Sequence, residues 1–226
     1  MTVGKWALAT NATVKFLLGF LLMALLLFLP AGTVDYVGGW LLLLLLFVPM
    51  LICGIVVFIF SPQLLARRLK EKEERSTQRG VVALSGVIFI VGFVLAGLDY
   101  RFSWSEFPDA FRIAASLLFL FSYGLYAEVL RENEWLSRTI EVCEGQTVVS
   151  SGLYGVVRHP MYFATIILFL SMPLILGSWY SFLFFLLYIP AIVVRIKDEE
   201  KQLIAELTGY KEYCLKVRWR LIPYLW

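Results

Sequence analysis

The 226-residue sequence contains little charge, one histidine and three cysteines. Charged residues make up 16% of the chain, whereas a soluble domain carries about 25%. So little charge excludes a disordered chain and a nucleic-acid-binding module, which both depend on charged side chains. A single histidine excludes a multi-histidine metal site. No Cys-x-x-Cys pair links the cysteines, so we predict neither a metal site nor a disulfide framework. The cysteines are Cys53, Cys143 and Cys214.

Apolar residues dominate instead: they make up 60% of the chain, and the mean hydropathy is +0.80. At about 20 residues per membrane crossing, this content allows six or seven spans. We therefore predict an all-α, polytopic integral membrane bundle of about six transmembrane helices. The first and the last two stretches are short for a membrane span. The alternative for the last two is a hairpin that barely crosses the membrane. The six stretches are Val14–Leu29, Val37–Phe60, Val81–Leu98, Ala110–Val129, Met161–Leu176 and Trp179–Val194.

The basic residues are distributed unequally between the two sides of such a bundle. With six spans, one side holds both termini and the two long polar segments, and it carries 18 of the 20 lysines and arginines. The other side carries Arg101, with Arg112 just inside the fourth span. Because cytoplasmic loops are enriched in lysine and arginine, this asymmetry predicts that both termini are cytoplasmic.

The segment Ser61–Gly80 mixes charges of both signs. We predict a solvated helix next to the membrane, with Arg67 and Arg68 directed towards lipid headgroups. No catalytic role is assigned to it.

The polar segment before the fifth stretch combines a glycine-containing turn with basic and aromatic residues. Pro160 is suited to the first position of a helix, where its missing N–H costs nothing. The free N–H groups of that helix start, with Arg158 and His159 just before it, favour an anion. Tyr154 and Tyr162 add aromatic faces with hydroxyl groups. Residue chemistry alone leaves two interpretations open, an anion or nucleotide pocket and an ordinary loop whose arginine reaches the headgroups.

A second polar segment follows the sixth stretch. If that span continues as a helix, Arg195 and Glu199 lie one turn apart on one face, with Gln202 and Glu206 nearby. Glu199 is then suited to accept hydrogen bonds from a ribose or an ammonium group, and Arg195 to hold a carboxylate. The alternative is a solvated amphipathic helix whose surface ion pair contributes under about 1 kcal/mol.

Together the two segments resemble the isoprenylcysteine carboxyl methyltransferase family, which belongs to the small integral-membrane methyltransferases. The resemblance covers roughly Thr139 to the C-terminus, and the spans from Pro62 onward look like the bacterial branch. The residues that carry it are Val149-Ser150-Ser151-Gly152-Leu153-Tyr154, Arg158-His159-Pro160-Met161-Tyr162, Arg195 with Glu199 and Glu200, and Thr208-Gly209-Tyr210-Lys211-Glu212-Tyr213, followed by Arg218, Arg220 and Pro223.

The resemblance implies S-adenosylmethionine as the methyl donor, with S-adenosylhomocysteine as its product. It assigns Arg195 to the acceptor side, and His159 is the only histidine that can serve as a base if the acceptor is an amine. It also implies one membrane domain, with four spans in residues 1–129 and the catalytic half in residues 130–226. The donor-binding positions implied by the resemblance are Gln146, Thr147, Val148, Val149, Tyr154, His159, Pro160, Met161, Tyr162 and Glu199.

The implied function is methyl transfer to a lipophilic acceptor, either the carboxylate of an isoprenylcysteine-like compound or another lipid or thiol. A non-catalytic protein that binds a lipid or nucleotide, or a subunit of a larger complex, is the alternative. A transporter is disfavoured because the spans hold few ionisable residues away from their ends. We expect membrane lipids and the acceptor as partners, no nucleic acid, and a bacterial inner membrane as the location.

Overall fold

The computed structural model describes residues 5–69, 76–136, 142 and 145–226. Every regular element in these ranges is helical. A 3-10 turn at Gly152–Gly155 is the short element before α6. The α-helices are α1 (Lys5–Ala31), α2 (Val37–Phe60), α3 (Pro62–Arg68), α4 (Ser76–Phe102), α5 (Asp109–Glu132), α6 (Pro160–Leu176), α7 (Trp179–Phe185), α8 (Tyr188–Glu206) and α9 (Tyr210–Lys216).

Within the described ranges, five helical stretches are long and apolar enough to cross a membrane. Four of them lie within α1, α2, α4 and α5, and the fifth, Trp179–Glu206, combines α7 and α8. The remaining predicted span, the fifth stretch Met161–Leu176, corresponds to α6, an apolar helix of 17 residues. At 1.5 Å per residue α6 is about 26 Å long, slightly less than the hydrocarbon thickness. The predicted polytopic helical bundle is confirmed.

The short helix α6 occupies the middle of the bundle. It packs against α5 along its length and also contacts α2, α4, α7 and α8. Because neighbouring helices cover its ends, α6 does not need to present a full membrane-length surface to lipid. Its first residue, Pro160, is buried, as is Leu176 at the other end. The helix therefore runs through the protein from the polar segment described below to the opposite end.

The hydrophobic core joins residues from both halves of the chain. Leu27, Leu42, Phe119 and Phe185 are almost completely buried in one cluster. Helices α1 and α4 approach closely at Gly97, where a Cβ atom would lie 2.7 Å from the carbonyl oxygen of Leu27. A small residue at a helix crossing permits such contact between backbones.

Buried polar contacts close the end of the bundle farthest from Pro160. The carboxylate of Asp99, at the end of α4, accepts hydrogen bonds from the backbone N–H and the hydroxyl of Ser105, both at 2.7 Å. Ser178, which begins α7, also donates to Asp99. The hydroxyl of Tyr36 donates to the carbonyl of Leu176 at 2.7 Å. These contacts satisfy polar groups at helix ends that would otherwise be buried without partners.

The last helix of the bundle continues beyond its apolar part. Helix α8 runs to Glu206, whereas the predicted apolar stretch ended at Val194. The polar residues from Arg195 onward are therefore helical, as the expected spacing of Arg195 and Glu199 required. Helix α8 is amphipathic here, and its buried residues include Ile196 and Glu200.

Candidate functional site

The loop between α5 and α6 is held by contacts to the end of α5. The carboxylate of Glu132 accepts a hydrogen bond from the backbone N–H of Leu153 at 3.0–3.1 Å. The side-chain amide of Asn133 donates to the Tyr154 hydroxyl at 3.0 Å. Gly152 has a φ of +54°, a conformation that residues with a Cβ rarely adopt. Tyr154 lies within this turn and is buried.

Replacing Gly152 by alanine is expected to destabilise this turn. The new Cβ would lie 1.6 Å from the Oε1 atom of Glu132, so the carboxylate must leave the Leu153 N–H while the backbone is also strained. We expect a loss of about 1–3 kcal/mol of stability, measured as the thermal unfolding midpoint in detergent. Gly145→Ala is the control, because Gly145 also has a positive φ but its Cβ would meet nothing within 4 Å. Equal losses in the two variants would show that the contact with Glu132 is unimportant.

The start of α6 is joined to the C-terminal tail by backbone hydrogen bonds. The N–H of Arg158 donates to the carbonyl of Trp219 at 2.9 Å, and that of His159 donates to the carbonyl of Arg220 at 2.8 Å. The Arg158 guanidinium reaches the carbonyl of Val217 at 2.8 Å. The tail therefore lies against the loop and fixes the position of its basic residues.

Glu200 lies at the centre of a buried ionic cluster formed with Arg158, His159 and Arg220. Its Oε1 accepts from Nε of Arg158 at 2.6 Å and lies 3.2 Å from Nε2 of His159. Its Oε2 accepts from Nε of Arg220 at 2.7 Å. Glu200, Arg158 and His159 are each less than 9% exposed. A carboxylate buried to this degree needs such partners because it has lost its hydration.

Glu199, the preceding residue, belongs to a different network. The hydroxyl of Tyr162 donates to Oε2 of Glu199 at 2.5 Å and accepts from Nε of Arg195 at 2.9 Å. Arg195 and Glu199 are one turn apart on α8, and Tyr162 lies near the start of α6. The phenol thus bridges a cation and an anion and fixes the orientation of both side chains.

One open cavity lies beside these networks. Its empty space, counted together with the open solvent at its mouth, is about 830 Å³. Of the predicted donor-binding positions, all except Pro160 line it, and Arg195 lines it as well. Pro160 is buried at the start of α6. The lining residues outside the prediction are Asn133, Trp135, Leu136, Arg158, Leu203, Leu207, Tyr210 and Tyr213.

Helix α9 and the end of α8 form an apolar wall of the cavity. Leu207, Tyr210, Tyr213 and Val217 are buried together, with Val148 packed against them. The Tyr213 hydroxyl donates to the backbone carbonyl of Tyr154 at 2.6 Å. Burial raises the pKa of Tyr154 and of Tyr213 well above the usual value. Both phenols therefore stay protonated at neutral pH and act as hydrogen-bond groups rather than bases.

Arg68 lies elsewhere than the sequence prediction placed it. Its guanidinium contacts the sulfur of Met161 at 3.7 Å and lies 5.4 Å from the centre of the Tyr126 ring. The arginine therefore packs against the protein beside a residue that lines the cavity, instead of extending only to headgroups. This part of the segment is helical and mostly exposed or half-exposed, as α3, so the expected solvated helix stays a prediction in which Arg68 also contacts the protein. The side chain of Arg67 and residues 70–75 lie outside the described residues.

Three features of the site could not be read from the sequence. The ionic cluster includes Arg220, which lies twenty residues after Glu200. Asn133 and Trp135 also line the cavity, but they precede the recognised motifs. The motif that contains Tyr210 and Tyr213 was recognised, but nothing in it indicated that these two residues line the cavity. Cys143 and Thr139 lie outside the described residues, and Cys214 is a partly buried free thiol.

Comparisons with known proteins agree with the sequence resemblance. Residues 113–205 match the sequence model of the isoprenylcysteine carboxyl methyltransferase (ICMT) family. A segment of 91 residues, 39% of this chain, is 34% identical to the Delta(14)-sterol reductase TM7SF2 of Mus musculus. That segment spans 22% of the reductase. The matched range contains the loop before α6, α6 itself and nearly all of α8, so it includes Arg195, Glu199 and Tyr162 and every member of the Glu200 cluster except Arg220.

Proposed function

We propose that this chain, which residues 113–205 connect to the isoprenylcysteine carboxyl methyltransferase family, is a membrane methyltransferase that uses S-adenosylmethionine and a lipophilic acceptor. The observation that carries the proposal is the cavity. It brings Arg195, Glu199 and Tyr162 together with the Gln146–Val149 loop, next to apolar helices that meet lipid.

The chemistry of the cavity suits the methyl donor. Glu199 offers a carboxylate to an ammonium group or to ribose hydroxyls. The start of α6 offers positive potential to a carboxylate. The wall made by Leu203, Leu207 and Val148 offers an apolar surface to a base. Each part of the donor therefore has a complementary group among the lining residues.

The sulfonium supplies an activated methyl group, so the protein mainly supplies alignment and a dry site. Arg195 is proposed to orient an anionic acceptor, with its guanidinium fixed by the Tyr162 hydroxyl. An ionised carboxylate or thiolate needs no strong base. His159 was expected to serve as a base for an amine acceptor, but its Nε2 faces Glu200 at 3.2 Å. We therefore propose that His159 mainly positions the site and that the acceptor is already anionic.

The acceptor is proposed to be the carboxylate of an isoprenylcysteine-like compound, or another lipid or thiol. Its apolar tail enters between helices from the membrane, while the donor enters from water. The cavity and both termini are proposed to be cytoplasmic, because the side of the bundle that holds them carries most of the lysines and arginines. The membrane is proposed to be a bacterial inner membrane. In this proposal, residues 1–129 provide four supporting spans and residues 130–226 carry the chemistry.

Similarity to the Delta(14)-sterol reductase favours a second candidate. Reduction of a carbon–carbon double bond requires a hydride donor, and a nicotinamide dinucleotide contains a nucleoside that suits the same apolar wall. A non-catalytic protein that binds a nucleotide is the third candidate. Binding of S-adenosylhomocysteine rather than NADPH, followed by transfer of labelled methyl groups, distinguishes methyl transfer from both.

The experiment that tests the proposal is calorimetric binding of S-adenosylmethionine and S-adenosylhomocysteine to the detergent-purified chain. We expect micromolar affinity, and about 10- to 100-fold weaker binding by Glu199→Gln, because a charge-assisted hydrogen bond is lost. Glu206→Gln is the control, since Glu206 is exposed and lies about two turns from Glu199 on α8. Unchanged affinity in Glu199→Gln would refute the assignment of Glu199. Tight NADPH binding without S-adenosylhomocysteine binding would support the second candidate.

A further inference from the structure

The hydroxyl of Tyr210 is a buried polar group that the fold leaves without a partner. Tyr210 is 4% exposed, and its oxygen makes no hydrogen bond within the described part of the chain. Two other buried polar atoms share this property, Oε1 of Gln78 and Nε of Arg112. Of the three groups, Tyr210 is the one that lines the cavity. A buried hydroxyl without a hydrogen-bond partner is unfavourable, so the position of Tyr210 in the lining of an open cavity is informative.

The other tyrosines of the cavity differ from Tyr210 in this respect. Tyr154 accepts from Asn133, Tyr162 donates to Glu199, and Tyr213 donates to the carbonyl of Tyr154. Each of these hydroxyls therefore has a structural partner. Folding alone does not explain why position 210 carries a phenol rather than a phenyl ring.

The surroundings of Tyr210 are mostly apolar. Its ring lies 5.5 Å from that of Tyr213, centre to centre, in the cluster that includes Leu207 and Val217, with Leu203 and Val148 packed against it. Burial, together with the nearby carboxylates of Glu200 and Glu199, raises the pKa of Tyr210 far above the usual value. The hydroxyl is therefore neutral and available as a hydrogen-bond donor.

We infer that Tyr210 is a ligand-binding residue whose hydroxyl donates a hydrogen bond to the nucleobase of the methyl donor. The inference rests on the proposed function, and it assigns the nucleobase end of the methyl donor to the part of the site around Tyr210. A flat heteroaromatic ring combines an apolar face with ring nitrogens that accept hydrogen bonds, and it matches an apolar wall that carries one buried donor. Glu199, whose carboxylate suits the ammonium group of the amino-acid end, belongs to the separate network around Tyr162.

The test compares Tyr210→Phe with the parent chain in two measurements. Without ligand, the variant should keep the thermal unfolding midpoint or raise it, because the removed hydroxyl has no partner in the described part of the protein. With S-adenosylhomocysteine, its affinity should fall about tenfold. With 5′-methylthioadenosine, which retains the base and ribose but lacks the amino-acid end, the affinity should fall by the same factor.

Two further tyrosine variants serve as controls. Tyr213→Phe should lower the unfolding midpoint without ligand, because it removes the hydrogen bond to the Tyr154 carbonyl. Tyr180→Phe changes an exposed phenol at the opposite end of the bundle and should alter neither measurement. Together they separate loss of a structural contact from loss of a ligand contact.

Each result that differs from these expectations overturns a specific part of the inference. If the parent chain binds S-adenosylhomocysteine and Tyr210→Phe binds it equally well, Tyr210 is not a ligand-binding residue and the proposed function stands. If Tyr210→Phe weakens S-adenosylhomocysteine but not 5′-methylthioadenosine, the hydroxyl contacts the amino-acid end. A midpoint lowered as in Tyr213→Phe indicates a structural role. If the parent chain binds neither ligand, the proposed function fails, and the inference fails with it.

Discussion

Glu200→Ala is expected to lower the stability of the folded chain by about 3–5 kcal/mol. The substitution leaves the buried guanidinium of Arg158 without its anion, and it removes the carboxylate that also contacts His159 and Arg220. Breaking one side of a buried ion pair is more damaging than removing both, because an uncompensated charge remains. Thermal unfolding in detergent measures the loss.

The same substitution should release the C-terminal tail. Because Glu200 ties Arg220 to the start of α6, we expect faster tryptic cleavage after Arg218 or Arg220 under native conditions. Glu206→Ala is the matched control on the same helix, since Glu206 is exposed and its carboxylate accepts a hydrogen bond from the side-chain amide of Gln202 at 2.9 Å. Its stability should change by less than about 0.5 kcal/mol. A Glu200→Ala protein as stable as this control would contradict the importance of the cluster.

Arg195→Lys is expected to lower kcat/KM for methyl transfer about 10- to 100-fold while donor binding changes much less. Lysine keeps the positive charge but lacks the planar guanidinium, which donates in several fixed directions. In this site one of those N–H groups donates to the Tyr162 hydroxyl at 2.9 Å. A lysine cannot keep this contact and present the same geometry to an anionic acceptor. Turnover of labelled donor and calorimetric donor affinity together measure the two effects.

Lys197→Arg is the control for this prediction, because Lys197 lies two residues away on α8 and is exposed. It should leave both turnover and donor affinity unchanged. If Arg195→Lys instead weakens donor binding as strongly as turnover, Arg195 holds the donor and its assignment to the acceptor is wrong.

The two predictions concern two different side-chain networks, which contain the consecutive α8 residues Glu199 and Glu200. Consecutive residues of an α-helix point about 100° apart, so Glu199 reaches Tyr162 while Glu200 reaches Arg158 and Arg220. We therefore expect variants of Glu199 to affect ligand binding first and variants of Glu200 to affect stability first. Measuring both quantities in both variants checks this division.

Much of the architecture followed from the sequence. Long apolar runs must avoid water, and a helix satisfies its own backbone within lipid, so the number and approximate limits of the spans could be predicted. Pro160 marked the start of α6, because proline is tolerated at that position. The motif spacing also indicated which segments supply the cavity, and nine of the ten donor-binding positions, together with Arg195, line it. Their roles in binding remain proposals.

Other features required the tertiary structure. The spacing from Arg195 indicated Glu199 as the binding carboxylate, but nothing in the sequence determined that Glu200 is buried with Arg158 and Arg220. That pairing depends on how α8 is rotated against α6 and the C-terminal tail. Arg68 likewise reaches Met161 across 93 positions of the chain. Local composition determines where helices begin, end and meet lipid, whereas the partners of a polar side chain are set by packing between segments far apart in sequence.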